Sequence, residues 1–231
     1  MEKTTMQVTD DIARVLGLKK YAEGHWDDET VKVHAGFESF NDAGVECEVG
    51  EFLYAMVRVL KPYHILETGT HWGMSTMYMA SACRDNGHGI VETLEFATEN
   101  YLKADDHFRR SNLKPYIINH PADVTKWTPK SDRRYQMALL DTEPQLRFNE
   151  FVRFFDYFTP GSFVFIHDLH RHMGQVDNSE HGFAWPWGKI APGLRTFVEF
   201  GVARPFHFPT PRGLTGFYIT HPDDYKWRKL A

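Results

Sequence analysis

The stretch HILETGTHWGMSTMYMA, residues 64–80, brings an acid, two glycines and a serine close together. Glu67 ends a short apolar run, Gly69 and Gly73 follow it, and Ser75 stands just beyond the second glycine. Glycine permits a sharp turn and a close approach of the backbone to a ligand. If the next segment is a helix, the N–H groups at its start favour an anionic group. The stretch therefore predicts a ligand-binding turn between a strand and a helix.

Two further acids, Asp141 and Asp168, each follow an apolar run, in LLD and in FIHD. If these runs are neighbouring strands about 4.8 Å apart, the two carboxylates lie close enough to share one cation. Without a shared cation they repel each other, and one of them tends to hold a proton. Oxygen ligands suit a hard divalent ion such as Mg²⁺. The alternative is that Asp141 binds no metal and instead orients a substrate or caps the next helix.

Three histidines, His167, His170 and His172, surround the second acid in the segment HDLHRHM. A histidine here can take up a proton or complete the ligand shell of a metal. We favour His170 as the base, because His167 alternates to the opposite strand face from Asp168 if the strand stays regular. His167 and Asp141 remain further catalytic candidates, and His167 is also a candidate metal ligand. The alternative is that these histidines are structural.

Strands and helices alternate along the chain and position these groups. The predicted strands cover 64–67, 89–95, 115–120, 135–141, 162–168, 203–208 and 214–220, and the predicted helices cover 9–20, 49–60, 74–85, 98–112, 145–158 and 192–201. Such an alternation predicts an α/β fold with a doubly wound, mostly parallel, seven-stranded sheet. The last two strands have no helix between them, which predicts an antiparallel hairpin at one edge.

The N-terminal part of the chain is predicted to be separate from this sheet. Residues 1–45 are expected to form a helical extension or cap, and residues 46–231 the ligand-binding domain. Thr9 is predicted to cap the first helix, and residues 21–45 read as a polar loop. A short helix or turn is expected near residues 124–130.

The spacing of the glycines excludes two common nucleotide motifs. A dinucleotide fingerprint needs G-x-G-x-x-G, but counting from Gly69 the later glycine positions hold His71 and Met74. A Walker A loop needs G-K-[ST], which is also missing. Glu95 ends the second strand, about 20 residues after the turn, where an acid can accept hydrogen bonds from both ribose hydroxyls. A ligand is expected beyond the carboxyl ends of the strands.

The pattern E-x-G-x-x-x-G-x-S resembles motif I of class I S-adenosylmethionine-dependent methyltransferases, and the resemblance extends over about residues 45 to 221. It implies that the turn holds the amino-acid end of the cofactor, through Glu67, Gly69, Thr70, Gly73 and Ser75. It also implies that Glu95 binds the ribose and that Asp123, in HPADV, contacts the adenine amine. For Asp123, the cap of a following helix is an equal alternative.

The segments MALLDTEP and GSFVFIHDLH are similar to the metal-assisted O-methyltransferases, most closely to the macrocin O-methyltransferase and cephalosporin-hydroxylase-like group. This group typically ends its fifth strand in an acidic pair or in His-Asp, which His167-Asp168 matches. It also tends to carry D-G-x-H after the fourth strand. Here the sequence is Asp141-Thr-Glu-Pro144, so proline stands where that histidine is expected.

The predicted function is methyl transfer to the hydroxyl of a small molecule. An ion such as Mg²⁺ on Asp141 and Asp168 would lower the pKa of the hydroxyl. The alternatives are another reaction on the same fold, such as N-methylation or a hydroxylase-like activity, and a non-catalytic binding module. The loop 173–190 carries Phe183, Trp185 and Trp187 and is predicted to be a lid, although these rings are as well explained by packing.

The composition limits which cellular compartment and which partners are expected. The net charge of −5, without a basic block, argues against broad binding of nucleic acids or anionic membranes. Cys47 and Cys83 form no C-x-x-C pair and are expected to be buried free thiols. Without an 18-residue apolar run or a secretory signal, the chain is expected to be cytoplasmic. The predicted partners are a small-molecule acceptor and further copies of the chain in a homo-oligomer.

Overall fold

The chain divides into two compact units, Met1–Thr128 and Pro129–Ala231. The computed structural model describes residues 4–22, 37–41, 43–168, 196–208 and 210–220. The predicted boundary after residue 45 stays a prediction. Within the described ranges, no helix is both long enough and apolar enough to cross a lipid bilayer.

The first unit carries four helices and five strands among its described residues. The helices are α1 (Thr5–Leu16), α2 (Cys47–Leu60), α3 (Met74–Asn86) and α4 (Thr98–Arg110), and the strands are β1 (Tyr21–Ala22), β2 (Glu38–Ser39), β3 (His64–Thr68), β4 (Ile90–Glu95) and β5 (Ile117–Pro121). Strands β3, β4 and β5 run parallel, with β4 in the middle. The short antiparallel pair β1–β2 lies in the segment predicted as a loop. A 3₁₀ turn precedes β5, which therefore starts later than predicted.

The first helix starts earlier than predicted, and Thr9 is not its cap. The Thr4 hydroxyl accepts the Gln7 N–H at 3.3 Å, and the Gln7 side chain accepts the Thr4 N–H at 2.8 Å, which together make a capping box. Thr9 is buried and donates to Glu51 at 2.6 Å, so it links α1 to α2. The prediction was wrong because an earlier threonine supplies the cap before the apolar periodicity becomes visible.

The second unit carries four strands and the eight-residue helix α5 among its described residues. These are β6 (Tyr135–Leu140), α5 (Arg147–Phe154), β7 (Phe158–His167), β8 (Ala203–Phe208) and β9 (Leu214–Ile219). Strand β6 runs parallel to β7, whereas β9 pairs antiparallel with both β7 and β8, which confirms the predicted hairpin. Helix α5 ends before its predicted end and continues as a 3₁₀ turn, and β7 starts earlier than predicted.

Strands β3 to β9 make up one seven-stranded sheet, so the predicted mostly parallel α/β sheet is confirmed. The predicted helix at 192–201 is helical over the described residues 196–199, and residues 124–126 form a turn without a helix.

Aromatic packing fixes the orientation of α5. Phe151 lies 5.1 Å from Phe197 and 5.2 Å from Phe217, measured between ring centroids. These separations are typical of favourable aromatic pairs. The buried residues of α5 are Arg147, Glu150, Phe151 and Phe154, at the i, i+3, i+4 and i+7 spacing of one helix face. The packing that buries the two phenylalanines therefore also buries Arg147.

Candidate functional site

The turn after β3 has the conformation that its glycines predict. Gly69 and Gly73 have φ values of 83° and 82°, and His71 between them has a φ of 47°. All three lie in the left-handed region, which favours glycine. A Cβ on Gly73 would lie 2.6 Å from Phe108 Cζ and closer still to Cε1, so only glycine fits there. Gly73 is also the N-cap of α3, so the turn leads directly into a helix start.

Glu67 supports this turn from inside the unit. Its side chain is fully buried and accepts hydrogen bonds from the Ser75 hydroxyl at 2.6 Å, from the Thr93 hydroxyl at 2.6 Å and from the Thr76 hydroxyl. The Thr70 and Thr93 hydroxyls lie 2.6 Å apart and extend the network. Glu67 thus joins the end of β3, the start of α3 and the middle of β4. It acts on the turn as a positioning residue.

Glu95 lies at the end of β4 and binds the backbone of the same turn. One carboxylate oxygen accepts the His71 N–H at 2.7 Å, and the other accepts the Ala97 N–H at 2.8 Å. An ionised carboxylate offers about four acceptor positions, so each oxygen can accept one more hydrogen bond. The geometry therefore leaves Glu95 able to bind a pair of hydroxyls while it holds the turn.

Asp123 caps a turn, which favours the alternative that the sequence left open for it. Its carboxylate accepts the Thr125 N–H at 2.9 Å and the Thr125 hydroxyl at 2.7 Å, and Lys126 Nζ lies 3.0 Å away. The Thr125 hydrogen bonds and then Lys126 lower the pKa of Asp123 to about 2. The capped segment is a turn, not the helix that this alternative assumed.

In the second unit, the structure brings Asp141, His167 and Asp168 together. One potential ligand atom from each lies within 4.8 Å of the other two. His167 Nδ1 is 3.2 Å from Asp141 Oδ1 and 3.4 Å from Asp168 Oδ1. The expected placement of His167 and Asp168 on opposite faces is wrong. Strand β7 ends at His167, and Asp168 has a φ of 54°, so the chain turns there.

Arg147 lies between the two acids, and sequence reasoning missed it. Its side chain is 2% exposed, and Nη2 is 3.2 Å from Asp141 Oδ1 and 3.1 Å from Asp168 Oδ2. Nε donates to the Thr142 carbonyl at 2.8 Å, and Nη1 donates to the His167 carbonyl. The sequence feature that could have revealed Arg147 is its position as a charged residue on the apolar face of α5, four residues before Phe151.

A second arginine, Arg212, is buried in the connection between β8 and β9. Burial alone would raise the pKa of Asp168, but the charges of His167, Arg147 and Arg212 outweigh it and hold this pKa below its usual range. Asp168 Oδ1 is buried and has no hydrogen-bond partner among the described residues. The cluster thus contains two acids, two arginines and one acceptor oxygen that has no hydrogen-bond partner among the described residues.

The favoured base and the predicted lid lie outside the described residues. This applies to His170, to His172 and to the loop 173–190 with its three aromatic residues. Their roles stay predictions.

Residues 66–169 match a family model with the description "Methyltransferase domain". The matched segment contains the glycine turn, Glu95 and Asp123, and from the acid cluster it contains Asp141, Arg147, His167 and Asp168. No curated protein matches the chain significantly.

Solved methyltransferase structures share the fold of this chain. The O-methyltransferase TomG from Streptomyces achromogenes, involved in tomaymycin synthesis and solved with S-adenosylmethionine, is 17% identical with a TM-score of 0.63, over 96% of this chain and 92% of that chain. An O-methyltransferase from Bacillus cereus, solved with S-adenosylhomocysteine, is 17% identical with a TM-score of 0.62, over 92% and 90%. The methyltransferase PaMTH1 from Podospora anserina, also bound to S-adenosylhomocysteine, is 14% identical with a TM-score of 0.63, over 92% and 88%. At these identities the likeness shows the fold alone.

The domain match, together with the fold, confirms the predicted enzyme class, an S-adenosylmethionine-dependent methyltransferase. The narrower resemblance to the macrocin O-methyltransferase and cephalosporin-hydroxylase-like group stays a prediction.

Proposed function

We propose that the chain transfers the methyl group of S-adenosylmethionine to a hydroxyl group of a small molecule. The observation that carries this proposal is the turn at residues 69–73, which leads into α3 and is held by Glu95. Such a turn lets a ligand approach the backbone, and the helix start favours its carboxylate. TomG and the Bacillus cereus protein are O-methyltransferases solved with this cofactor or its product, which supports the cofactor and the hydroxyl acceptor.

On the cofactor side, some residues contact the ligand, and others hold those residues in position. The backbone of Gly69, Thr70 and Gly73 binds the amino-acid end, and Glu95 accepts hydrogen bonds from the ribose hydroxyls. The free acceptor positions of Glu95 support this role.

Glu67 and Ser75 act beneath the turn in this proposal, because the Glu67 carboxylate is already bonded to three hydroxyls. Asp123 keeps its predicted contact with the adenine amine as part of the proposal. Its carboxylate is also the cap of a turn, so the two roles would have to share its oxygens.

On the acceptor side, the chemistry needs an aligned hydroxyl and a base. The hydroxyl oxygen attacks the methyl carbon, the carbon–sulfur bond breaks, and its electron pair goes to sulfur to give S-adenosylhomocysteine. The proton of the hydroxyl goes to the base. Alignment is a large part of the rate enhancement, because the sulfonium already activates the methyl group.

Two histidines are candidates for the base in this proposal. His167 is oriented by Asp141, as a general base usually is by a carboxylate. His170 remains the second candidate. Asp168 Oδ1 has no hydrogen-bond partner among the described residues and can accept a hydrogen bond, but the lowered pKa of Asp168 makes it a weak base.

The predicted Mg²⁺ would be held by Asp141, Asp168 and His167. These donors converge, but Arg147 already bridges the two carboxylates. As arranged, the residues do not fit a divalent cation, so no step of the proposed transfer is assigned to one.

The first experiment is calorimetric titration of the purified protein with S-adenosylhomocysteine. Glu95→Gln is expected to weaken binding about 10- to 100-fold, because a hydrogen bond to a charged group contributes about 1.5–3 kcal/mol. Glu99→Gln is the matched control, since it removes the same charge from an exposed position on the first turn of α4. It should leave the affinity unchanged.

The outcomes separate the parts of the proposal. If the wild-type protein binds no S-adenosylhomocysteine, the proposed function is refuted, and a non-catalytic binding module becomes the better interpretation. If Glu95→Gln and Glu99→Gln bind equally well, the role given to Glu95 is wrong. Product mass in an acceptor screen then distinguishes O-methylation from N-methylation and from a hydroxylase-like reaction. A homo-oligomer and a cytoplasmic location stay predictions.

A further inference from the structure

We infer that Arg147 is the resident cation of the acid cluster, and that Asp141, His167 and Asp168 work without a divalent metal ion. This inference concerns the acceptor side of the proposed methyl transfer and rests on that proposal for its catalytic meaning. It reverses the prediction of a metal site from the sequence.

Arg147 contacts one oxygen of each carboxylate that a metal ion would use. Nη2 lies 3.2 Å from Asp141 Oδ1 and 3.1 Å from Asp168 Oδ2, so a single nitrogen bridges the two carboxylates. An ion bound through these same two oxygens would have to displace this nitrogen from between them. The bridge is therefore an alternative to a metal ion at this pair of oxygens.

The guanidinium is also held from its other side. Nε donates to the Thr142 carbonyl at 2.8 Å, and Nη1 donates to the His167 carbonyl. The planar group has its donors in a fixed fork, so these bonds set the orientation of Nη2. The side chain is 2% exposed, and moving it away from the acids would leave a buried charge without its partners. Hydrogen bonds and burial thus hold Arg147 in a fixed position in the cluster.

The charges in the cluster already balance among the described residues. Asp141 and Asp168 bring two negative charges, and the buried Arg147 and Arg212 bring two positive charges, while His167 is neutral or positive. A divalent ion usually supplies the compensating charge in an acidic site. Here it would add two positive charges to a largely buried cluster in which two arginines already compensate the two acids, which burial strongly disfavours.

The arginine bridge leaves one acceptor oxygen for a substrate. Arg147 binds Asp168 through Oδ2, and Asp168 Oδ1 has no hydrogen-bond partner among the described residues. An arginine stays charged at all working pH values, so it compensates the negative charge of the cluster without a metal ion. In the proposed reaction, Asp168 Oδ1 would accept the hydrogen bond of the acceptor hydroxyl.

The test is a titration with Mn²⁺ followed by electron paramagnetic resonance, in which the free ion gives the signal and the bound ion loses it. The wild-type protein is expected to leave the signal of added Mn²⁺ undiminished. Arg147→Gln removes the charge that blocks the site and is expected to bind Mn²⁺ at least about tenfold more tightly, or about 1.4 kcal/mol. Arg153→Gln, on the exposed face of the same helix, is the control and should behave like the wild type.

Two results would overturn the inference. One is a stoichiometric Mn²⁺ site in the wild-type protein that disappears in Asp168→Asn. The other is a folded Arg147→Gln variant that binds Mn²⁺ no better than the wild type. If Arg147→Gln does not fold, the wild-type titration alone decides between the inference and a metal site. Neither cofactor nor acceptor enters this measurement, so its failure is distinct from a failure of the proposed methyl transfer.

Discussion

Replacing Gly73 by alanine tests whether the turn is shaped by its packing as well as by its backbone. A non-glycine residue in the left-handed region costs about 1–2 kcal/mol. At Gly73, with a φ of 82°, the new Cβ would also overlap the Phe108 ring, 2.6 Å from Cζ. Overpacking of this kind costs typically about 1–3 kcal/mol. We therefore expect Gly73→Ala to lower the free energy of unfolding by about 2–5 kcal/mol.

Gly87 provides a matched control at the other end of the same helix. It has a φ of 76°, and a Cβ there would meet no atom within 4 Å. Gly87→Ala should therefore lower the free energy of unfolding only by the backbone cost of about 1–2 kcal/mol. Alanine restricts the unfolded chain similarly in both variants, so this term cancels in the comparison.

The assay is urea denaturation of the wild type and the two variants under identical conditions. The difference between the variants reports the overlap with Phe108. Adding Phe108→Leu should recover part of the loss in Gly73→Ala and none of the loss in Gly87→Ala. Equal losses in the two glycine variants would refute the packing argument. An unchanged affinity of Gly73→Ala for S-adenosylhomocysteine would count against the turn as the cofactor site.

Two further predictions concern buried groups. Burial raises the pKa of the Cys47 and Cys83 thiols to about 12, so Ellman's reagent at pH 8 should react with them only after unfolding. Rapid labelling of the native protein would contradict this protection. Unfolded thiols ionise above about pH 8.5, whereas the folded ones stay protonated, so the free energy of unfolding should fall as the pH rises from there. Arg147→Met leaves two acids without their partner and should lower the free energy of unfolding by about 3 kcal/mol in urea, with Arg153→Met nearly neutral. An equal, small effect of both would show that the bridge is not structural.

The sequence predicted the sheet and the turn well because both depend on local patterns. The apolar runs of β3, β4, β6 and β7 alternate with helices, and that alternation alone implies the sheet. Glycines mark the turn because its backbone conformation excludes other residues at Gly73. The pattern was insufficient where two nearby residues could take the same structural role. Thr4 and Thr9 are both suitable caps, and the tertiary contacts of Thr9 with Glu51 and Tyr78 distinguish them.

The acid cluster shows a different limit of sequence reasoning. The sequence reveals Asp141 and Asp168 because each follows a buried strand, and two such acids either share a positive charge or leave one of them protonated. It does not reveal whether a metal ion or a side chain supplies that charge. Here the answer lies on α5, where Arg147 occupies a position that the helix period places on the buried face with Phe151 and Phe154. An acid pair at strand ends therefore predicts a cation, and the buried face of the next helix has to be examined before that cation is taken to be a metal.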